Sequence, residues 1–288
     1  MFNRLLKSRK NHPMQLAISK LVPSFYLNKS YNNPAVPKTA SRVIFLSFDC
    51  DKDIDIKFLD KILMILNESQ IKANFAIPAY YLKNNSQQIN KIIQTGHELL
   101  NHSFSHPDDF VDLDLEMMKN EIKKADLEFN NVIGYRCRGL RAPHFGWLYY
   151  APEKFIQMIE FLKEIGYRYS SSTVLSWFTF TDFKKITDVL RHLDFIEFPL
   201  APNPIRPLEP FDSYYFFKNN RSGKTLTNKQ MQYFLSLFCQ VINKSIQYNI
   251  PINVYFDPQD VIKNHLIGDI IKIIQNNRFV SYRYSDFN

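Results

Sequence analysis

A chain of 288 residues is long enough to bury a core of barrel size within one domain. Its net charge of +8 is carried by Lys and Arg interleaved with Asn, Ile, Phe and Tyr, without a dense arm or a recognition module, which excludes nucleic acid as the expected partner; an apolar run long enough to span a membrane is absent. Three cysteines, Cys50, Cys137 and Cys239, lack metal-ligand spacing and read as buried reduced thiols, and no apolar stretch follows the basic start Met1 to Lys10 as a secretory signal requires, so a cytoplasmic protein is expected.

In the first residues, Arg4, Lys7, Arg9, Lys10 and Lys20 alternate with Phe2, Leu5, Leu6, Met14, Leu16, Ile18 and Leu21. Such a segment suits either a docked extension or peripheral contact with an anionic membrane, on its inner face for a cytoplasmic protein. A polar, proline-marked linker, Asn28 to Ser41, closes an extension of residues 1–41, and residues 42–288 form the expected main domain. There Val43 to Phe48 reads as a buried strand and Ile56 to Leu66 as a helix. Ala73 to Ile77 is the next strand, Ile89 to Gln94 a helix closed by Gly96, Glu98 to Leu100 a strand and Leu113 to Phe129 an amphipathic helix. Gly139 to Arg141, a helix from Glu153 to Ile165, and Tyr167 to Ser171 continue the alternation. Later come Phe195 to Phe198, a long helix from Asn228 to Tyr248, Asn253 to Phe256, a helix from Ile262 to Ile274, and Val280 to Tyr284. Alternating strands and helices predict a parallel sheet under covering helices, and closure into a barrel would gather its catalytic groups at the C-terminal ends of the strands. Ala201 to Thr227, rich in Pro and aromatic residues, fits no periodic template and is expected to be a loop on the substrate side.

Two segments carry the chemistry. Ser47-Phe48-Asp49-Cys50-Asp51 ends the first strand, and Asn101-His102-Ser103-Phe104-Ser105-His106 follows Gly96-His97-Glu98. Together they offer two carboxylates and two imidazoles, enough to hold one catalytic divalent ion with positions left for water and substrate. Residues two apart on a strand share a face, so Asp49 and Asp51 can address one site, and the second carboxylate can take the proton of the attacking water.

With these segments the chain resembles the polysaccharide deacetylases with the NodB-homology domain, carbohydrate esterase family 4. Phe48-Asp49-Cys50-Asp51, the Gly96-His97-Glu98 segment running on to His102 and His106, and Arg141-Ala142-Pro143 match the family's first three motifs in order. The resemblance extends from about Arg42 to Phe256 and loosens after Ser172. It implies a distorted (β/α) barrel of about seven strands. It further implies Asp49 as catalytic base, Asp51, His102 and His106 as ligands of a divalent metal (zinc first, with cobalt, manganese or nickel as alternatives), and Arg141 as the partner of the base. The backbone N–H of His144 stands at the family's oxyanion donor, and its imidazole is a candidate acid. His97 is expected to be structural.

Two positions depart from the pattern. Where the family has an aspartate before paired serines, this chain has Ser170 in Tyr169-Ser170-Ser171-Ser172; where it has a histidine before proline, this chain has Asp257-Pro258. A protonated Asp257, or alternatively His144, would then have to donate to the leaving amine. The expected activity is metal-dependent removal of an acetyl or formyl group from an N-acylated amino sugar, saccharide or lipid-linked precursor. The alternatives are a catalytically inactive barrel that binds carbohydrate or metal, and an iron(II) oxygenase using the same two histidines and carboxylate.

Overall fold

The computed structural model describes residues 13–33, 38–39, 42–144, 152–177, 180–218 and 226–287. Seven parallel strands are hydrogen-bonded in the order β6-β5-β4-β3-β2-β1-β7: β1 (Val43–Asp49), β2 (Asn74–Ile77), β3 (Glu98–Asn101), β4 (Gly139–Leu140), β5 (Tyr169–Ser170), β6 (Ile196–Glu197) and β7 (Ile252–Phe256). A short β8 (Val280–Ser281) pairs with the start of β1. The two outer strands approach each other as well, since the Ala201 N–H, just beyond β6, donates to Asn253 of β7 at 2.7 Å. The expected distorted (β/α) barrel of about seven strands is therefore the fold.

Strand alternation assigns the two faces. Ile44, Leu46, Phe48 and Cys50 point outward into one large apolar core beneath the helices. Val43 and Phe45 point inward, where they meet Ala76, Leu100, Tyr169, Phe198 and Tyr284. Those helices are α3 (Asp53–Lys57), α4 (Leu59–Glu68), α5 (Leu82–Gln94), α6 (Leu115–Ile133), α7 (Pro152–Glu164), α8 (Phe180–His192), α10 (Asn228–Tyr248), α11 (Pro258–Lys263) and α12 (Ile267–Asn276), with α9 (Ser213–Phe217) between α8 and α10. Asp114 caps α6 by accepting from the Met117 N–H, and Thr227 and Gln230 form a reciprocal capping box on α10. Gly139 is obligatory for a packing reason. A Cβ there would lie 1.8 Å from the Tyr169 ring, which crosses the inner face at that point.

Several expectations need correction. The linker reading of Asn28 to Ser41 fails at its start, because Asn28 to Tyr31 end a helix; α1 (Pro13–Leu21) and α2 (Pro23–Tyr31) precede β1. Leu27 and Tyr31 of α2 pack on Leu175, Tyr248 and Ile250, and the Tyr26 hydroxyl donates to the Trp177 carbonyl. Nor is the described part of Ala201 to Thr227 simply a rim. Phe211 and Phe217 are buried and pack on Phe234, while Asp212 and Ser213 are buried as well, so this stretch folds back over α10. The helix expected over Ile262 to Ile274 is two, α11 and α12, broken at Asn264–Leu266, where His265 has φ 53°. Helix α8 lies outside the elements expected from the sequence, although Phe180, Phe183, Ile186, Val189 and Leu190 keep helical spacing. Among the described residues, no helix is long and apolar enough to cross a membrane.

Candidate metal and acyl-transfer site

The inner face turns polar toward the strand ends. Asp49, the last residue of β1, meets Arg141, the residue after β4, with Nη1 to Oδ1 at 3.0 Å; the arginine is fully buried and the aspartate nearly so. The Arg141 N–H donates to the Asn101 carbonyl at 3.0 Å, which continues the β3–β4 pairing one residue further and fixes where the side chain starts. Its Nη2 donates to Ser47 Oγ at 3.0 Å, Ser171 Oγ at 3.1 Å and the Tyr284 hydroxyl at 2.9 Å. A buried guanidinium is tolerable only when paired and hydrogen-bonded, and these four residues do both. Burial pushes the Asp49 carboxyl above its ordinary range while Arg141 opposes that rise, leaving a carboxylate more basic than an exposed one.

Asp51 lies two residues on. Its Oδ1 is 3.2 Å from His102 Nε2 and 3.4 Å from His106 Nε2, and the three donor atoms lie within 4.8 Å of one another. His102 Nδ1 is 2.6 Å from the Arg141 carbonyl, an acceptor that requires the proton on Nδ1 and leaves Nε2 toward Asp51. Burial lowers the His106 pKa to about 4, whereas at His102 burial is outweighed by the hydrogen bond to Asp51 and the charges of Asp49 and Asp51, which raise its pKa. A divalent cation held here would take the place of the proton that His102 Nε2 otherwise shares with Asp51 Oδ1. Tetrahedral coordination at about 2.0–2.1 Å puts ligand atoms about 3.3–3.4 Å apart, the spacing Asp51 keeps from both imidazoles. The donor set fits a divalent ion of the zinc type.

The loop that delivers the histidines is held by residues that sequence reasoning missed. Ser103 and His106 both have positive φ, 63° and 53°. Asn101 Oδ1 accepts from the Ser103 N–H at 2.8 Å, and Ser103 Oγ from the His106 N–H at 3.0 Å. Glu121 of α6 takes the N–H groups of Phe104 and Ser105 at 3.2 and 2.9 Å. These bonds stabilise the left-handed turns, which non-glycine residues otherwise disfavour. Asn101, next to His102, had a local signal as a turn-former; Glu121, 15 positions beyond His106, had none.

A cleft of about 230 Å³ opens over this centre, lined by Asp51, His106 and His144 together with Tyr80, Tyr81 and Tyr214. His144, also at positive φ (50°), sets its ring 5.0 Å from that of His106, and its Nε2 lies 3.3 Å from Asp108 Oδ1. Asp257, like Asp49, Arg141 and His102, is absent from the cleft lining. It is buried at the start of α11, its N–H donating to Ser213 Oγ at 2.9 Å. Ser170 points away from the barrel interior, its hydroxyl 2.9 Å from that of Ser172, which accepts from the Ala142 N–H. The carboxylate there belongs to Glu197 of β6, which accepts from the Ser172 N–H and the Thr173 hydroxyl. Cys50 is no nucleophile: burial, then Asp55, Asp51, Asp49 and Asp257, push its thiol well above the ordinary range. His97 is structural, with Nδ1 accepting from the Ala73 N–H at 3.2 Å.

Residues 37–169 match the model of the polysaccharide deacetylase family. The chain is 30% identical over 115 residues to a chitooligosaccharide deacetylase of Sinorhizobium fredii, a match covering 38% of this chain and 50% of that protein. It is 25% identical over 142 residues to the uncharacterized protein YlxY of Bacillus subtilis, covering 49% of this chain and 44% of that one. The match therefore spans about half the length of these relatives. The fold is similar to that of a Mycobacterium smegmatis protein assigned to the polysaccharide deacetylases, with a TM-score of 0.63 at 15% identity over 87% of this chain and 90% of that one. The fold is thus a distorted (β/α) barrel of the kind found in polysaccharide deacetylases. Over residues 37–169 the chain is similar to the polysaccharide deacetylase family.

Proposed function

We propose that this protein is a metal-dependent hydrolase that removes an N-acyl group, acetyl or formyl, from an amino sugar of a saccharide or lipid-linked precursor. The observation that carries the reading is the Asp51–His102–His106 donor set together with Asp49, two residues before Asp51 on the same strand end and paired to a buried Arg141. When bound, a divalent cation, zinc first, supplies Lewis acidity toward the amide oxygen and acidifies water. Asp49 takes the proton of the attacking water, its basicity raised by burial and its orientation held by Arg141. The His144 N–H donates to the oxyanion of the tetrahedral intermediate. Tyr80, Tyr81 and Tyr214 give the cleft apolar faces on which a sugar ring can lie.

The leaving amine also needs a proton. His144 is better placed to supply it than Asp257, because it lines the cleft and has Asp108 to orient its ring. The replacement of the family's acid pair by Ser170 and Asp257 supports a second reading, a barrel that keeps metal and saccharide without turnover. Acetate release from N-acetylated chitooligosaccharides and lipid-linked amino sugars, measured on zinc-loaded protein, tests the first reading. Release that depends on Asp49 upholds it; stoichiometric metal and saccharide binding without release favours the second.

A further inference from the structure

The first 48 residues contain eight of the 36 basic side chains and none of the 28 acidic ones. The remaining 240 residues are therefore electrically balanced, and the whole net charge of +8 belongs to the segment ahead of Asp49. The same segment concentrates exposed apolar side chains. Met14, Leu21, Val22 and Phe25, exposed by 64%, 81%, 49% and 47%, are four of the 13 large hydrophobic residues exposed among those described, and they fall within 12 consecutive positions. In α1 the buried side chains are Gln15, Leu16 and Ser19, so Met14 and Leu21, two turns apart, share the outward face. In α2 the buried set is Tyr26, Leu27, Ser30 and Tyr31, which turns Phe25 and Lys29 outward, with Lys29 Nζ 5.6 Å from the Phe25 ring centre. Lys20 and Lys29 flank the apolar ridge.

We propose that the α1–α2 hairpin is a docking surface for an anionic phospholipid membrane, lying in its interface with Met14, Leu21, Val22 and Phe25 among the acyl chains and the basic side chains at the head groups. Either half alone would be ordinary. Scattered exposed apolar residues need no explanation, and a basic segment attracts any polyanion. The combination selects a membrane, because a nucleic acid offers its phosphates no adjoining apolar phase, whereas an anionic bilayer offers both at one depth. The hairpin is anchored to the barrel through Tyr26, Leu27 and Tyr31, so seating it brings the domain with it.

The test is co-sedimentation of the full chain with vesicles of phosphatidylcholine alone or with about 30% phosphatidylglycerol, together with competition by duplex DNA. Partition onto anionic vesicles is expected to exceed that onto neutral ones by about tenfold or more and to fall with added salt. Met14→Glu with Leu21→Glu, at exposed positions that leave the fold intact, should abolish it, as should Arg9→Glu, Lys10→Glu and Lys20→Glu combined. Unchanged melting temperatures would show that both variants fold. Equal binding to both vesicle types, full binding by the Met14/Leu21 variant, or preference for duplex DNA would overturn the proposal. Hydrolytic activity enters none of these readings, so the proposal stands or falls apart from the deacetylase assignment.

Discussion

At the scale of single residues, two neighbouring carboxylates do different work because their surroundings differ. Asp51 faces two imidazoles, whereas Asp49 faces a guanidinium. His102→Ala and His106→Ala are therefore expected to lose stoichiometric zinc, read by metal analysis of the purified protein, while circular dichroism stays native. Asp49→Asn should keep metal and fold but lower turnover by about 100-fold or more, since an amide of the same shape cannot accept the proton. Loss of metal in that variant would show the two aspartates reversed. For the acid, His144→Ala is expected to cut kcat by about 100-fold with full metal content, and Asp257→Asn to leave the alkaline limb of the pH–rate profile in place. A profile that loses this limb only in Asp257→Asn would return the role to the residue aligned with the family's histidine.

Elements fix these residues through backbone contacts. The His102–His106 loop is tied to α6 by Glu121 and to the turn after β2 by the Ala79 and Tyr80 N–H groups, which donate to the Ser103 and Phe104 carbonyls. At the opposite end of the same strands, His97 joins the start of β3 to the residue before β2, and burial lowers its pKa to about 4. Nδ1 must stay unprotonated to accept the Ala73 N–H, so the unfolded chain, with histidine near 6.5, binds the extra proton first. The stability contributed by neutral His97 is thus complete above about pH 6.5 and is lost as pH falls toward about 4. Urea unfolding at pH 7 and pH 5 should show a larger loss for the wild type than for His97→Gln, which does not titrate in this range; equal losses would remove His97 from the acid sensitivity.

At the scale of the whole molecule, the C-terminal turn closes the barrel and reaches its chemistry. Tyr284, in the 3₁₀ turn Tyr284–Asp286, has its N–H on Asn74 Oδ1 at 3.0 Å, and its hydroxyl accepts from Arg141 and donates to Asn253 Oδ1 at 2.7 Å. Tyr284→Phe removes the hydroxyl's bonds to Arg141, Asn253 and Ser171 inside the barrel and should cost about 1–3 kcal/mol in denaturant unfolding. It should also reduce kcat with KM and metal content unchanged, because it frees the guanidinium that aims Asp49. A variant that loses stability but not kcat would confine Tyr284 to closing the barrel.

Much of this was legible in the residues because it is local. Strand alternation in Val43 to Phe48, helical spacing in Asn228 to Tyr248, and short motifs bearing Asp49, Asp51, His102, His106 and Arg141 each express their chemistry within a few positions. Other features depended on long-range contacts. Glu121 reaches the histidine loop from the far side of a helix, and Tyr284 meets Arg141 across 143 positions. Phe211 and Phe217 became core only once α10 lay beside them, and Ser170 found its partner in Ser172, beside Glu197. The sequence by itself determined a parallel sheet under helices and the cluster of carboxylates and imidazoles, because periodicity and motif spacing are short-range properties of the chain, and the family resemblance added the barrel and the assignment of ligands. Only the tertiary structure decided which side chains orient that set and which polar groups face the cleft, because a buried charge or lone pair is satisfied by whatever the closed fold brings within hydrogen-bonding distance.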